Sequence, residues 1–284
     1  MHTTLLDAAT LARHLDDPDW VFVDCRFSLA DTEAGRRAYR EAHIPGAVYA
    51  HLDEDLSGPV RPGKTGRHPL PPVDVLAERF ARWGIGPGVQ VVAYDDLSGA
   101  IAARLWWLLR WLGHDAVAVL DGGWPAWRAG GFPTTDEAPA PQRRSFTPRP
   151  RPALLADAAF VETVRHDPAY RVVDARTPER YRGEAEPIDP VAGHIPGAVN
   201  APHPDNVDAE GAWRSPEKLR VRFEAVLGDV PPANAVFYCG SGVTACRNIL
   251  AMEHAGLPGA KLYAGSWSEW IAQGGAVRDG QGRS

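Results

Sequence analysis

The sequence carries one ordered set of landmarks twice, and that repeat restricts its fold more than any other feature. WVFVDCRF at 20–27 is matched by YRVVDART at 170–177, which places Asp24 and Asp174 150 residues apart. About twenty residues later each half has HIPGAV, at 43–48 and again at 194–199. Apolar runs follow, VQVVAYDD at 89–96 and NAVFYCGS at 234–241. Each half then closes with VLDGGWPAW at 119–127 or LYAGSWSEW at 262–270. Four landmarks in one order mark the duplication of a whole domain, since solenoids repeat at periods of about 20–50 residues.

Between the halves, PTTDEAPAPQRRSFTPRPRP at 133–152 is rich in proline and polar residues and reads as an extended linker. The expected organisation is an N-terminal domain over 1–138, a linker over 139–151 and a C-terminal domain over 152–284. Within each half, short β-rich runs such as VFVD, RVVD, VQVVAY and AVFY alternate with stretches of helical spacing. AIAARLWWLLRWLG and ACRNILAMEHAG have that spacing and end at glycine, a common helix stop. Strands separated by helices predict an α/β fold, each half a mostly parallel sheet with helices on both faces. The Trp-rich run at 105–111 is expected to pack between the sheet and the other half, not to hold a cofactor or cross a membrane.

Composition excludes several function classes. A net charge of −6 and no basic segment beyond pairs such as Arg143-Arg144 speak against nucleic-acid binding. No apolar run approaches the ~20 residues that span a bilayer, and the N-terminal stretch lacks the apolar core of a signal peptide. Three cysteines in 284 residues make no disulfide framework, so a cytoplasmic setting is expected.

Cys239 is where chemistry concentrates. It ends a strand run and precedes Gly240-Ser241-Gly242, after which a helix is expected to begin near Val243 or Thr244. Ligands of open α/β sheets bind outside the carboxyl ends of strands. A loop turning into a helix N-terminus aims backbone N–H groups at an anion, and such a place favours thiolate over thiol. A structural cysteine suits Cys25 and Cys246 better, because glycines beside Cys239 sacrifice packing. A zinc site would need a short Cys spacing, but the next cysteine is Cys246, so no metal is expected. A phosphatase loop would carry an arginine at 245, where this chain has Ala245; Arg247 comes two residues late.

The ordered motifs DxR, HIPGA, DGGW/GSW and CGSGVTA resemble those of the tandem rhodanese-type sulfurtransferases over essentially the whole chain, most nearly the 3-mercaptopyruvate sulfurtransferase branch. The thiosulfate branch tends to carry two basic residues after the cysteine, where Gly240 and Ser241 stand. The resemblance implies two homologous rhodanese-like domains with the site at their interface. The N-terminal one has lost its cysteine, and Asp95 stands in its place. It implies transfer of a sulfane sulfur from 3-mercaptopyruvate through a Cys239 persulfide to a thiol or cyanide, without a cofactor. The N–H groups of Gly240, Ser241, Gly242, Val243 and Thr244 would hold the persulfide. The expected partners are a small-molecule donor, that acceptor and a thioredoxin-like reductant, with neither nucleic acid nor membrane.

The resemblance further implies a Ser–His–Asp relay, mapped onto Ser241, His68 and Asp53. It also implies a carboxylate-binding arginine six residues after Asp174, which is Arg180. A second arginine, nine residues further on, is expected in the mercaptopyruvate branch, and this chain has Ile188 and Asp189 there. Arg182 is the nearby substitute. That departure keeps thiosulfate open as the donor. A non-catalytic binding module is the remaining alternative, against which the intact CGSGVT loop speaks.

Overall fold

The β-rich runs become strands and the helically spaced runs become helices in the computed structural model, which describes residues 1–279. Met1–Gly58, Leu70–Arg151 and Ala209–Trp213 form a first unit; Pro59–Pro69, Pro152–Asp208 and the chain from Arg214 onward form a second.

The first unit contains β1 (Leu5–Leu6), α1 (Ala8–Ala12), β2 (Trp20–Asp24), α2 (Ala34–Glu41) and β3 (Val48–Tyr49). It continues with α3 (Val73–Arg82), β4 (Gln90–Tyr94), α4 (Ala102–Trp111), β5 (Val117–Leu120) and α5 (Gly123–Ala129). Its sheet runs β1-β5-β4-β2-β3, with every neighbouring pair parallel. The second unit repeats the plan with β6 (Leu155–Ala156), α6 (Ala158–Val164), β7 (Arg171–Asp174), α7 (Pro178–Tyr181) and β8 (Val199–Asn200). Then come α8 (Pro216–Leu227), β9 (Ala235–Tyr238), α9 (Ala245–His254), β10 (Lys261–Tyr263) and α10 (Ser266–Ala272). Its parallel order is β6-β10-β9-β7-β8.

Consecutive residues of β4, Val91 to Tyr94, are all buried. Side chains alternate along a strand, so both faces of the sheet are covered. In the second unit Val172, Val236 and Tyr238 pack with Val161 and Trp267 on one face. Phe237, of opposite parity, meets Phe223 of α8 edge-on at 6.0 Å. Each such fully buried side chain contributes about 1.5–3 kcal/mol. The Trp-rich α4 packs against β4 and β5, and its Trp106 and Trp107 are core residues. Among the described residues no helix is long and apolar enough to cross a membrane.

The repeated landmarks contact one another in the same way in both units. The Asp24 carboxylate accepts from the backbone N–H, Nε and Nη2 of Arg26, and Asp174 accepts the same three from Arg176. Each arginine lies over the tryptophan of the last landmark, Arg26 over Trp124 at 4.5 Å and Arg176 over Trp267 at 4.7 Å. His43 stacks on Tyr39 and His194 on Tyr181, both at 3.9 Å, and Nδ1 of each bonds the carbonyl of the tyrosine beneath it. These shared contacts tie the same landmarks together in both units.

Residues 139–151 form no helix or strand, but they are not a free spacer. They belong to the first unit because they serve helix ends. The N–H of Arg144 donates to the Ala81 carbonyl at the end of α3, and those of Arg149 and Arg151 donate to Leu112 and Trp111 at the end of α4. The last carbonyls of a helix have no partner within it, so an extended segment with free N–H groups docks there. Phe146 adds an edge contact to Phe80 at 5.2 Å. The second difference from the expected boundaries is the segment 59–69. It lies inside the first half by number and belongs to the second unit.

Candidate active site

Cys239 follows β9 directly and is buried, 2% exposed. The carbonyls of Cys239 and Gly240 accept from the N–H groups of Trp267 and Ser268 at the start of α10. The N–H of Cys239 donates to Ser266 Oγ at 3.1 Å, and that hydroxyl donates to the Tyr263 carbonyl. Ser266 has φ of +55°, a conformation uncommon for a residue with a side chain. Its counterpart in the first unit is Gly123, where a Cβ would lie 2.2 Å from the Asp95 carbonyl oxygen. Sequence comparison of GGW with GSW signals the difference, but not that the serine hydroxyl anchors the cysteine.

The loop then turns at Gly242, φ +76°, where a Cβ would lie 2.2 Å from the Ala264 carbonyl oxygen. The Gly242 N–H donates to Cys239 Sγ at 3.2 Å. Thr244 is the N-cap residue of α9, and Val243 is buried beside it. Cys246 is buried one turn on, its thiol donating to the Gly242 carbonyl at 3.4 Å. Cys25 is buried at the end of β2, and burial pushes its thiol well above the ordinary value.

The first unit shows what this turn does when an anion is built into it. Asp95 follows β4 as Cys239 follows β9. Its carboxylate accepts from four backbone N–H groups: Leu97 at 2.9 Å, Gly99 at 2.8 Å, Ile101 at 2.7 Å and Ala102 at 2.8 Å. Gly99 has φ of +83°, close to that of Gly242. The first-unit loop, one residue longer, therefore binds a carboxylate with its backbone, and its counterpart after β9 holds a sulfur atom.

Two arginines cover Gly240. A Cβ there would lie 2.8 Å from Arg67 Nη2 and 3.6 Å from Nη1 and Nη2 of Arg180. The absence of a side chain thus lets two guanidinium groups approach the backbone beside Cys239. Arg180 is where the motif places it, but Arg67 is new; its only sequence signal is adjacency to His68 in GRHPLPP. The segment reaches the loop because its backbone packs on the start of α10. Gly66 leaves no room for a Cβ against the Gly265 carbonyl, 2.5 Å away, and the Arg67 N–H donates to Ser268 Oγ. The same segment carries His68, buried, whose Nδ1 is 2.7 Å from Ser241 Oγ. Ser241 and His68, read from distant parts of the sequence, are brought together.

Neither Ile188 nor Arg182 supplies the second cation. Ile188 is exposed, and Arg182 pairs with Glu184 at an exposed position. Asp189 instead points a buried carboxylate at both arginines. It pairs with Arg67 Nη1 through Oδ1 and accepts from Arg180 Nη2 through Oδ2 at 3.1 Å. Glu186 accepts from Nε and Nη2 of Arg180 and from Nη1 of Arg176. Burial pushes the Glu186 carboxyl up, but the Arg180 fork and the N–H groups of Asp189 and Ile188 outweigh it, leaving it below the usual range. At Asp189 burial prevails over Arg67 and Arg180, and the carboxyl is raised.

Asp53 belongs to the first unit, in the loop after β3, with its N–H on His51 Nδ1. Burial raises its carboxyl. Arg247 is buried in α9 with Nη1 3.1 Å from His203 Nδ1, so it does not serve the loop as a phosphatase arginine would. Burial, then the charges of Arg247 and Arg222, lower His203 to about 3, leaving it neutral at physiological pH. Glu33, His51 and Glu54 are grouped closely enough to suggest a metal. Both ring nitrogens of His51 are committed to backbone groups and Arg36 pairs with both glutamates, so these atoms already have partners.

Residues 7–130 and 157–273 match the family described as Rhodanese-like domain. The chain is 51% identical over 268 residues to a Pseudomonas aeruginosa protein named "Probable 3-mercaptopyruvate sulfurtransferase", covering 94% of each. It is 34% identical over 259 residues to the thiosulfate sulfurtransferase of Bos taurus, covering 88% of this chain and 84% of that one. The structure superposes on a 3-mercaptopyruvate sulfurtransferase from Leishmania major with a TM-score of 0.81 and 33% identity, over 94% of this chain and 74% of that one.

Proposed function

The chain belongs to the rhodanese-like family of sulfurtransferases, and we propose that it moves the thiol sulfur of 3-mercaptopyruvate, as the outer sulfur of a Cys239 persulfide, to a thiol or cyanide. One observation carries this reading. Cys239 Sγ sits in a turn that donates the Gly242 N–H to it, and the corresponding, one-residue-longer loop of the first unit binds a carboxylate through four N–H groups. Backbone donors held in place before charge develops stabilise it without reorganisation.

In the first step the Cys239 thiolate attacks the donor sulfur. An S–S bond forms, the C–S bond breaks, and its electron pair passes to the enolate of pyruvate, which takes a proton. Ser241, joined to His68 at 2.7 Å, is the hydroxyl that manages this proton. The family pattern alone assigns Asp53 to the same relay. Arg67 and Arg180 bind the donor carboxylate, for which the guanidinium fork is well shaped. In the second step the acceptor thiolate or cyanide attacks the outer sulfur of the persulfide, and Cys239 leaves as thiolate. A thioredoxin-like reductant is a suitable acceptor, because it presents such a thiolate.

The test is sulfur transfer to cyanide from 3-mercaptopyruvate and from thiosulfate, with Cys239→Ala as control. Cys239-dependent turnover with the first donor supports the proposal. Turnover with thiosulfate alone replaces the donor, and turnover with neither refutes the enzyme reading. Ser241→Ala and Asp53→Asn should lower kcat with 3-mercaptopyruvate far more than with thiosulfate, which yields no enolate.

A further inference from the structure

Asp189 is a carboxylate placed where a donor anion would bind. Its two oxygens are divided between Arg67 and Arg180, the guanidinium groups that lie against Gly240 beside Cys239. It is buried, its side chain 3% exposed, and its N–H is tied to Glu186 Oε1 at 3.0 Å. Glu186 holds the other edge of Arg180. The two cations over the loop are therefore matched by two buried carboxylates, and Arg176 behind them is matched by Asp174. Arg67 Nε is buried and has no hydrogen-bond partner among the described residues. The fixed charges of the site thus sum to zero.

We propose that Asp189 is a specificity-determining residue whose carboxylate lets the paired arginines accept a monoanionic donor and disfavours a dianionic one. This rests on the sulfurtransferase reading above. 3-Mercaptopyruvate brings one negative charge and can share Arg67 and Arg180 with Asp189. Thiosulfate brings two, onto arginines already neutralised, and a second like charge in a poorly solvated site is strongly opposed. Bidentate hydrogen bonding from the arginines does not require net positive charge, whereas tolerance of a dianion does.

The experiment compares wild type with Asp189→Asn, which keeps the shape and removes the charge, and Asp189→Glu, which keeps the charge. For D189N, kcat/KM with thiosulfate should rise about tenfold, the scale of one charge-assisted contact, chiefly through a lower KM. With 3-mercaptopyruvate, which carries half the charge, it should rise only about threefold, while D189E retains the wild-type ratio. Equal fold-changes for both donors, or D189E behaving as D189N, would overturn the proposal. If D189N does not fold, Asp189→Ser removes the same charge and is judged by the same ratio. Calorimetric titration of Cys239→Ala, with and without D189N, against sulfate and pyruvate separates this inference from the catalytic one. Sulfate binding tightened more than pyruvate binding supports a charge filter even if no turnover is found, and equal shifts refute it.

Discussion

Replacing Gly242 by alanine tests the cradle most directly. The new methyl would sit 2.2 Å from the Ala264 carbonyl oxygen, where ordinary contact begins at 3.4 Å. It would also force a side chain into φ +76°, at a cost of about 1–2 kcal/mol. The clash is with backbone that continues from β10, so relief requires the loop to move by about 1 Å, at the ~1–3 kcal/mol typical of overpacking. Together the expected loss of stability is about 2–5 kcal/mol. The displaced atom is the N–H that donates to Cys239 Sγ, and removing one such donor lowers kcat by about 10²–10³. Gly274→Ala is the control, because Gly274 has nearly the same φ, +74°, with nothing within 4 Å of the added Cβ. It should lose only the backbone portion, about 1–2 kcal/mol, with normal turnover. Urea unfolding and initial rates of Cys239-dependent transfer read both quantities. If Gly242→Ala and Gly274→Ala are equally stable and equally active, the steric account of this loop is wrong.

Asp95→Ala leaves four N–H donors, three of them buried, without their acceptor and should destabilise the first unit by about 3–5 kcal/mol; differential scanning calorimetry would show a lowered transition. Arg180→Ala removes one carboxylate ligand and should raise KM for 3-mercaptopyruvate by at least about tenfold, and an unchanged KM in steady-state assays would remove Arg180 from the site. The pH dependence follows from the raised Asp189 carboxyl, which faces Arg67, Arg180 and Glu186. On acidification Asp189 takes its proton above the ordinary aspartate range, while Glu186 stays charged to lower pH. The ratio of thiosulfate to 3-mercaptopyruvate turnover should therefore rise as pH falls toward the carboxylate range in wild type and stay flat in Asp189→Asn. A flat wild-type profile would contradict the assignment.

Much of this protein is legible without coordinates. The duplication, the parallel α/β units and the position of Cys239 at a strand end all follow from local periodicity and from motifs contiguous in the chain. Contiguous motifs encode their own geometry: Asp174 and Arg176 are two residues apart, and Gly242 marks its turn by the conformation only glycine adopts easily. Arg180 comes from the family resemblance, which puts an arginine six residues after Asp174.

What tertiary structure alone decided is the charge arrangement over the loop. Arg67, Asp189 and Gly240 are joined by no short spacing, and nothing in GRHPLPP or EPIDP says that one segment supplies the cation and the other its carboxylate. The missing second arginine looked like a defect in carboxylate binding when read along the chain. In space Arg67 lies with Arg180 against Gly240, and Asp189 pairs with both. The linker likewise read as a spacer, because proline and polar content report an extended backbone but not the helix-end carbonyls it docks on. Local chemistry is written in sequence spacing, whereas the partner of a charge is set by which segments packing brings together.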